Sequence, residues 1–288
     1  MPLLSSLKRT VARQLRGAEP GAGGGADADA WSFLRDAPVY CICLDESRER
    51  YAHCLQEFAR VGLLPYVQFH RPARDPEGGI AGCWRSHAAV FRRALAERPA
   101  APYAVVFEDD PVFDAHWRRA LPHVRAFLQR EPDWHFLRLG GAFVQSYNER
   151  SASCPQAIQR IATLATHAYV VSRAFMEAWT RRAAFQGRGV DEDFMRYTTK
   201  NYALKAAMVW QSAKFNSLIA WGPPGSARDK YQRLIREAID YETWQRSLNR
   251  GVQMLQHLPL LSFPLRAQLL KKSIGLELPA DPRPALLI

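Results

Sequence analysis

Tyr103-Ala104-Val105-Val106-Phe107-Glu108-Asp109-Asp110 decides how this chain is read. Its first five residues are apolar, β-branched or aromatic without alternation, the pattern of a strand covered on both faces. Three carboxylates follow at once, at the carboxyl end of that strand, which is the edge where open α/β sheets bind ligands. Adjacent acids repel: two unit charges ~4 Å apart cost roughly 1 kcal/mol in water and roughly 4 kcal/mol at an effective dielectric of about 20. A divalent cation removes that penalty, and an oxygen-only set suits Mg²⁺ or Mn²⁺. The plainer reading is a solvated strand end. Alternatively, Asp110 caps a helix with Pro111 at its first position.

The surrounding pattern favours an α/β fold. Pro38–Leu44 reads as a first strand, Asp45–Arg50 as a turn, and Tyr51, Leu55, Phe58 and Ala59 as the apolar face of a helix ending near Gly62. Val67–His70 is a short second strand, and Gly82–Glu97 a helix with Trp84, His87, Ala88, Phe91 and Leu95 on one face. After the central strand, a helix is expected over Pro111–Arg130, then a strand at Trp134–Leu139. Ile161–Val171 is a strand region, leading to a helix capped by Ser172 that carries Phe175, Met176 and Trp179. No pattern is readable in Val144–Gln156. Strand–helix alternation of this kind predicts a mostly parallel sheet with helices on both faces.

The 288 residues suffice for one generous domain with extensions. The net charge of +11 permits anionic partners, but the arginines are scattered and no nucleic-acid recognition motif is present, so no nucleic acid is expected. Five cysteines without metal-type spacing argue against a disulfide framework. Cys41 and Cys43 alternate in an apolar run and read as small hydrophobes. The expected compartment is reducing and cytoplasmic. No stretch reaches the ~20 apolar residues of a membrane span.

The ends differ in character from the middle. Residues 1–30 hold a short basic amphipathic helix and a Gly-rich linker; the helix reads as a membrane-surface contact, a docking element or a weakly ordered leader. Residues 31–225 form the expected catalytic domain and 226–288 a helical C-terminal extension. Its Leu- and Pro-rich end either packs back over the domain or lies on a membrane as a peripheral contact.

Four stretches in order carry a resemblance. They are Val39–Arg50, then Gly82-Cys83-Trp84-Arg85-Ser86-His87, then Val105–Asp110, and last Ala168–Ser172 followed by Val190-Asp191-Glu192-Asp193-Phe194. Together they resemble glycosyltransferase family 25 over roughly residues 37–220. That family holds bacterial lipooligosaccharide glycosyltransferases and procollagen galactosyltransferases. The resemblance implies a GT-A-like, Rossmann-type fold. It also implies inverting transfer of a hexose, galactose or glucose, from a UDP-sugar to a hydroxyl of a glycan or glycoprotein acceptor, with Mn²⁺ or Mg²⁺ as cofactor.

Carried onto this chain, Asp110 would be the most direct metal ligand, with Glu108 beside it, and Glu108 and Asp109 would lie near the donor. An inverting transfer needs a general base at the acceptor hydroxyl. Asp191 and Asp193 are the candidates, unless they only cap the helix of Phe194 and Tyr197. Arg48 or Arg50 would reach the nucleotide, or be solvated turn arginines. Ser86 and His87 would line the donor site, or serve as a cap and a packed core residue. Gln211 and Ser217 lie where family members complete the donor site, and Arg228 and Lys230 follow a Gly-Pro-Pro-Gly turn that could close over the pyrophosphate. The alternative function is a catalytically inactive domain of the same fold that binds or scaffolds.

Overall fold

The computed structural model describes residues 30–164, 166–212, 214 and 215. The basic leader, the C-terminal extension, Ser217, Arg228 and Lys230 lie outside the described residues.

The described chain is an α/β fold built on an eight-stranded sheet in the order β2-β1-β3-β8-β5-β9-β7-β6. The strands are β1 (Val39–Ile42), β2 (Val67–His70), β3 (Tyr103–Phe107), β5 (Phe136–Arg138), β6 (Ala142–Arg150), β7 (Ile158–Leu164), β8 (Ala168–Ser172) and β9 (Asn201–Leu204). The sheet is mostly parallel: β8 and β7 run against the other six strands. A separate antiparallel ribbon pairs β4 (Pro111–Phe113) with β10 (Val209–Gln211).

The unbroken apolar run of β3 has a simple cause. Successive side chains of a strand point to opposite faces, and both faces are covered. Val105 and Phe107 enter one core with Val39, Cys41, Phe58 of α1 (Arg48–Arg60) and Phe127 of α3 (Leu121–Arg130). Ala104 and Val106 enter the other core with Tyr40 and Tyr169. Three helices roof that face: α2 (Gly79–Glu97), α4 (Arg173–Arg182) and α5 (Val190–Tyr197) contribute Trp84, Phe91, Phe175, Trp179 and Phe194. At the head of α4 the Ser172 hydroxyl accepts the Phe175 N–H at 3.3 Å, the expected cap.

Three expectations need correction. Pro111 opens no helix: residues 111–113 form β4, and helix α3 begins only at Leu121. Val112 and Phe113 favour a strand, and Pro111 sits at its first position, where a missing N–H is tolerated. Asp110 therefore caps nothing. Residues 142–164 form the β6–β7 hairpin, where a strand was expected only from Ile161 onward. Register shifts between Phe143 and Gln145 and between Ser146 and Arg150 break the period of two that makes a strand legible. Finally, α2 starts at Gly79, after Gly78 at φ +102°, so Ser86 and His87 stand in mid-helix and not at its start.

The turn between β6 and β7 is tied to the end of α3 by one carboxylate. Glu131 accepts from the hydroxyls of Ser151 at 2.6 Å and Ser153 at 2.7 Å, and from the N–H groups of Ser153 and Ala152. Burial pushes this carboxyl up, but the Ser151 and Ser153 donors outweigh it and hold it below its ordinary 4.5. With the folded value depressed, the stabilisation is complete above the ordinary carboxylate range and lost as pH falls through the folded value. Glu131→Gln is expected to lower the unfolding free energy by about 2–3 kcal/mol at neutral pH. In urea titrations near pH 3 the gap between variant and wild type should close.

Candidate functional site

The strand ends of β1, β3 and β5 and the start of β8 share one edge of the sheet. The acidic triplet emerges there, and its members are pulled in different directions. Glu108 turns toward α2 and β8. Its Oε1 meets His87 Nε2 at 3.2 Å and accepts the Thr166 hydroxyl, while its backbone N–H donates to His167 O at 2.9 Å. Burial raises the Glu108 carboxyl, yet His87 and Thr166 together bring it below the ordinary range.

Asp109 turns toward α1. Arg50 Nη1 lies 2.6 Å from Asp109 Oδ1 and 3.9 Å from Asp110 Oδ2, with both side chains of the closer pair nearly buried. The guanidinium also lies over the Phe215 ring, 4.9 Å from its centre. Burial outweighs this partner and keeps the Asp109 carboxyl raised. Arg48, two residues earlier, faces solvent: on a helix, residues two apart point to different sides. Of the two arginines, only Arg50 joins the triplet.

Asp110 has the least support. Its Oδ1 is buried without a hydrogen-bond partner. Burial first, then the charges of Glu108 and Asp109, push its carboxyl up to about 8. Its backbone carbonyl accepts the Ser212 N–H at 2.8 Å, so the β4–β10 ribbon holds the residue in place. Gln211 sits in that ribbon opposite Pro111 and is half-buried. An orphaned carboxylate oxygen, flanked by acids, fits a hard divalent cation.

His87 is wholly buried, and its Nδ1 lies 2.6 Å from the Tyr169 hydroxyl. Ser86 donates its hydroxyl to Gly82 O at 2.6 Å, inside its own helix. The two acids of α5 part company. Asp193 is buried, and its Oδ2 accepts both the Trp84 indole N–H at 3.0 Å and the Trp179 indole N–H at 3.2 Å. Asp191 is half-buried and close enough to the Cys83 thiol and the Arg138 guanidinium to shift both. The structure thus brings Asp191, Cys83, His87 and Glu108 to one edge, with Asp193 spent on packing α5.

Arg138 escapes sequence reasoning altogether. It is wholly buried, and none of its three guanidinium nitrogens has a hydrogen-bond partner. Instead it stacks among Phe136, Tyr169 and Phe194, with ring centres 4.5, 5.1 and 5.9 Å away. Burial lowers its value to about 10. A lone arginine inside the apolar run Phe136–Leu139 is the signal that could have found it. His167, its neighbour in the field, is brought to about 4 by burial and is neutral; its Nε2 lies 3.1 Å from Val209 O and its Nδ1 is unpartnered. Gly140 lets this crossing form. A Cβ there would stand 1.8 Å from Val209 O and 2.7 Å from His167 Nε2.

No protein-family model and no curated protein sequence matches the chain. The resemblance to family 25 therefore stands on the residues quoted above alone. Among solved structures, the chain aligns with the crystal structure of a glycosyltransferase involved in the glycosylation of the major capsid of PBCV-1. Identity is 10% and the TM-score 0.40, over 75% of this chain and 98% of that one. A likeness this slight carries no argument here. Among the described residues no helix is long and apolar enough to cross a membrane.

Arg50 is the residue on which the electrostatics of the site turn. Removing one partner of a buried ion pair leaves an uncompensated charge and costs about 3–5 kcal/mol. Arg50→Met is expected to destabilise the chain by that amount in urea unfolding. Adding Asp109→Asn should recover part of the loss, a coupling that a double-mutant cycle reads directly.

Proposed function

We propose that the chain is a metal-dependent, inverting glycosyltransferase that moves a hexose, galactose or glucose, from a UDP-sugar to a hydroxyl of a glycan or glycoprotein. One observation carries this reading: the buried, unpartnered Oδ1 of Asp110 at the ligand-binding edge of an α/β sheet, beside acids that already have partners.

Asp110 is the residue that would hold Mn²⁺ or Mg²⁺. Such an ion, when bound, supplies charge stabilisation for the departing nucleotide diphosphate. The protein's own part is positioning. Arg50 neutralises Asp109, which lowers the negative charge a diphosphate must approach. His87 and Thr166 draw Glu108 aside and fix its carboxylate. Asp191, half-buried near the same edge, takes the proton of the acceptor hydroxyl as general base. Asp193 is less suited to that task, because two indole N–H groups already occupy one of its oxygens.

Thermal unfolding of the full chain with UDP and Mn²⁺ tests the donor site. Binding at a hundredfold excess over Kd should stabilise wild type by about 2.7 kcal/mol. Asp110→Asn should abolish that ligand-induced gain. The same substitution should raise the ligand-free stability at neutral pH by about 1–3 kcal/mol, because a carboxyl ionised in the unfolded chain must take up a proton to be buried at this site, a cost that asparagine lacks. Asp191→Asn should keep the UDP–Mn²⁺ stabilisation but lower transfer by about 10²–10⁴-fold. Transfer that survives both Asp110→Asn and excess chelator would sink the metal-dependent reading. Absence of any UDP–Mn²⁺ stabilisation would favour the inactive, scaffolding alternative.

A further inference from the structure

The other side of the triplet carries a different set of donors. Cys83 and His87 are four residues apart on α2, a spacing that stacks their side chains on one face of a helix. Glu108 reaches the same point from the end of β3. One ligand atom from each of the three, the Cys83 Sγ, a His87 ring nitrogen and a Glu108 oxygen, lie within 4.8 Å of one another. His87 is oriented for the task. Its Nδ1 is 2.6 Å from the Tyr169 hydroxyl, which leaves Nε2 facing Glu108 at 3.2 Å. Metal-binding histidines are usually held in this way, with the second ring nitrogen hydrogen-bonded outside the ligand shell. Thr166 fixes the carboxylate in turn. The group is reachable: Cys83 and Glu108 are half-buried while His87 closes its inner end.

We infer that Cys83, His87 and Glu108 form a binding site for a thiophilic divalent cation of the zinc class, separate from the oxygen site at Asp110. A sulfur, a nitrogen and a carboxylate oxygen match the donor preferences of Zn²⁺ and not those of Mg²⁺ or Mn²⁺. Three protein ligands leave a fourth tetrahedral position for water or an incoming group. The cation would replace the proton shared between His87 Nε2 and Glu108, and it would lower the repulsion that Glu108 exerts on Asp109 and Asp110. The site stands on its own geometry and does not depend on the glycosyltransferase reading.

Co²⁺ serves as the spectroscopic probe, added to the full chain after chelator treatment. The expected result is one Co²⁺ per chain with a near-ultraviolet thiolate-to-metal band, displaced by Zn²⁺. Cys83→Ser should remove the band, and His87→Gln should weaken Co²⁺ binding at least tenfold. Asp110→Asn should leave the band intact while abolishing the UDP–Mn²⁺ stabilisation, so failure of one site is distinguishable from failure of the other. Wild-type protein gives a second readout that needs no substitution. Cys83 is the half-buried cysteine among four buried ones, so iodoacetamide should label it first and Zn²⁺ should slow that labelling. No thiolate band in wild type, a band undiminished in Cys83→Ser, or labelling indifferent to Zn²⁺ would each overturn the site and leave a plain His87–Glu108 hydrogen bond beside a bystander thiol.

Discussion

Three consecutive carboxylates at the end of a buried strand are an electrostatic liability, and the architecture of this edge follows from how each is handled. Glu108 is matched by His87 and Thr166, and Asp109 by Arg50. These partners come from α2, from the segment just before β8 and from α1. The triplet therefore ties together helices from both faces of the sheet. Asp110 is left as the member with an oxygen that the chain does not satisfy, and its backbone is clamped by the β4–β10 ribbon. A carboxyl held in place with one oxygen left unpartnered is suited to the cation that the proposed function would place there. On the proposed function, stability given up at this edge in the unliganded chain would be regained on cation binding.

The split between Glu108 and its neighbours also sorts the chemistry. On the Asp110 side the donors are oxygens and the nearest cation is a guanidinium. On the Glu108 side lie an imidazole and a thiol. One acidic run thus borders two environments of different softness, and metals that prefer oxygen and metals that prefer sulfur or nitrogen would not compete for the same place.

Much of the β2-β1-β3 side of the sheet was legible. β1, β2, β3 and the helices α1, α2 and α4 announce themselves, because their apolar residues follow the periods of two and 3.6 or fill both faces. Val67–His70 is the strand its residues indicate. The far edge of the sheet and the separate β4–β10 ribbon were less readable for physical reasons. β6 is disguised by register shifts that interrupt its alternation. β4 is disguised by a proline that also suits a helix start. Among the site residues, the triplet, His87 and Arg50 could be picked out by residue type and position. Arg138 stood out only as a charge in an apolar run; its place in the site was hidden, because its partners are rings on β5, β8 and α5 that meet only in the folded sheet. Cys83 was visible as part of a motif but not as a ligand, since Glu108 lies twenty-five residues away in sequence.

Asp191 and Asp193 show why sequence alone left the base open. Two residues apart on a helix are separated by about 200°, so one acid must turn inward when the other turns toward the edge. Which one turns inward is set by the indoles beneath α5. Trp84 from α2 and Trp179 from α4 both aim their N–H groups at Asp193 Oδ2. Buried indole donors need an acceptor, and a carboxyl oxygen supplies one. With Asp193 fixed in this way, α5 cannot rotate without breaking both bonds, and Asp191 is carried to the sheet edge near Cys83 and Arg138. Asp193 thus positions α5, and Asp191 is the acid of the pair to which the proposed function gives the role of base.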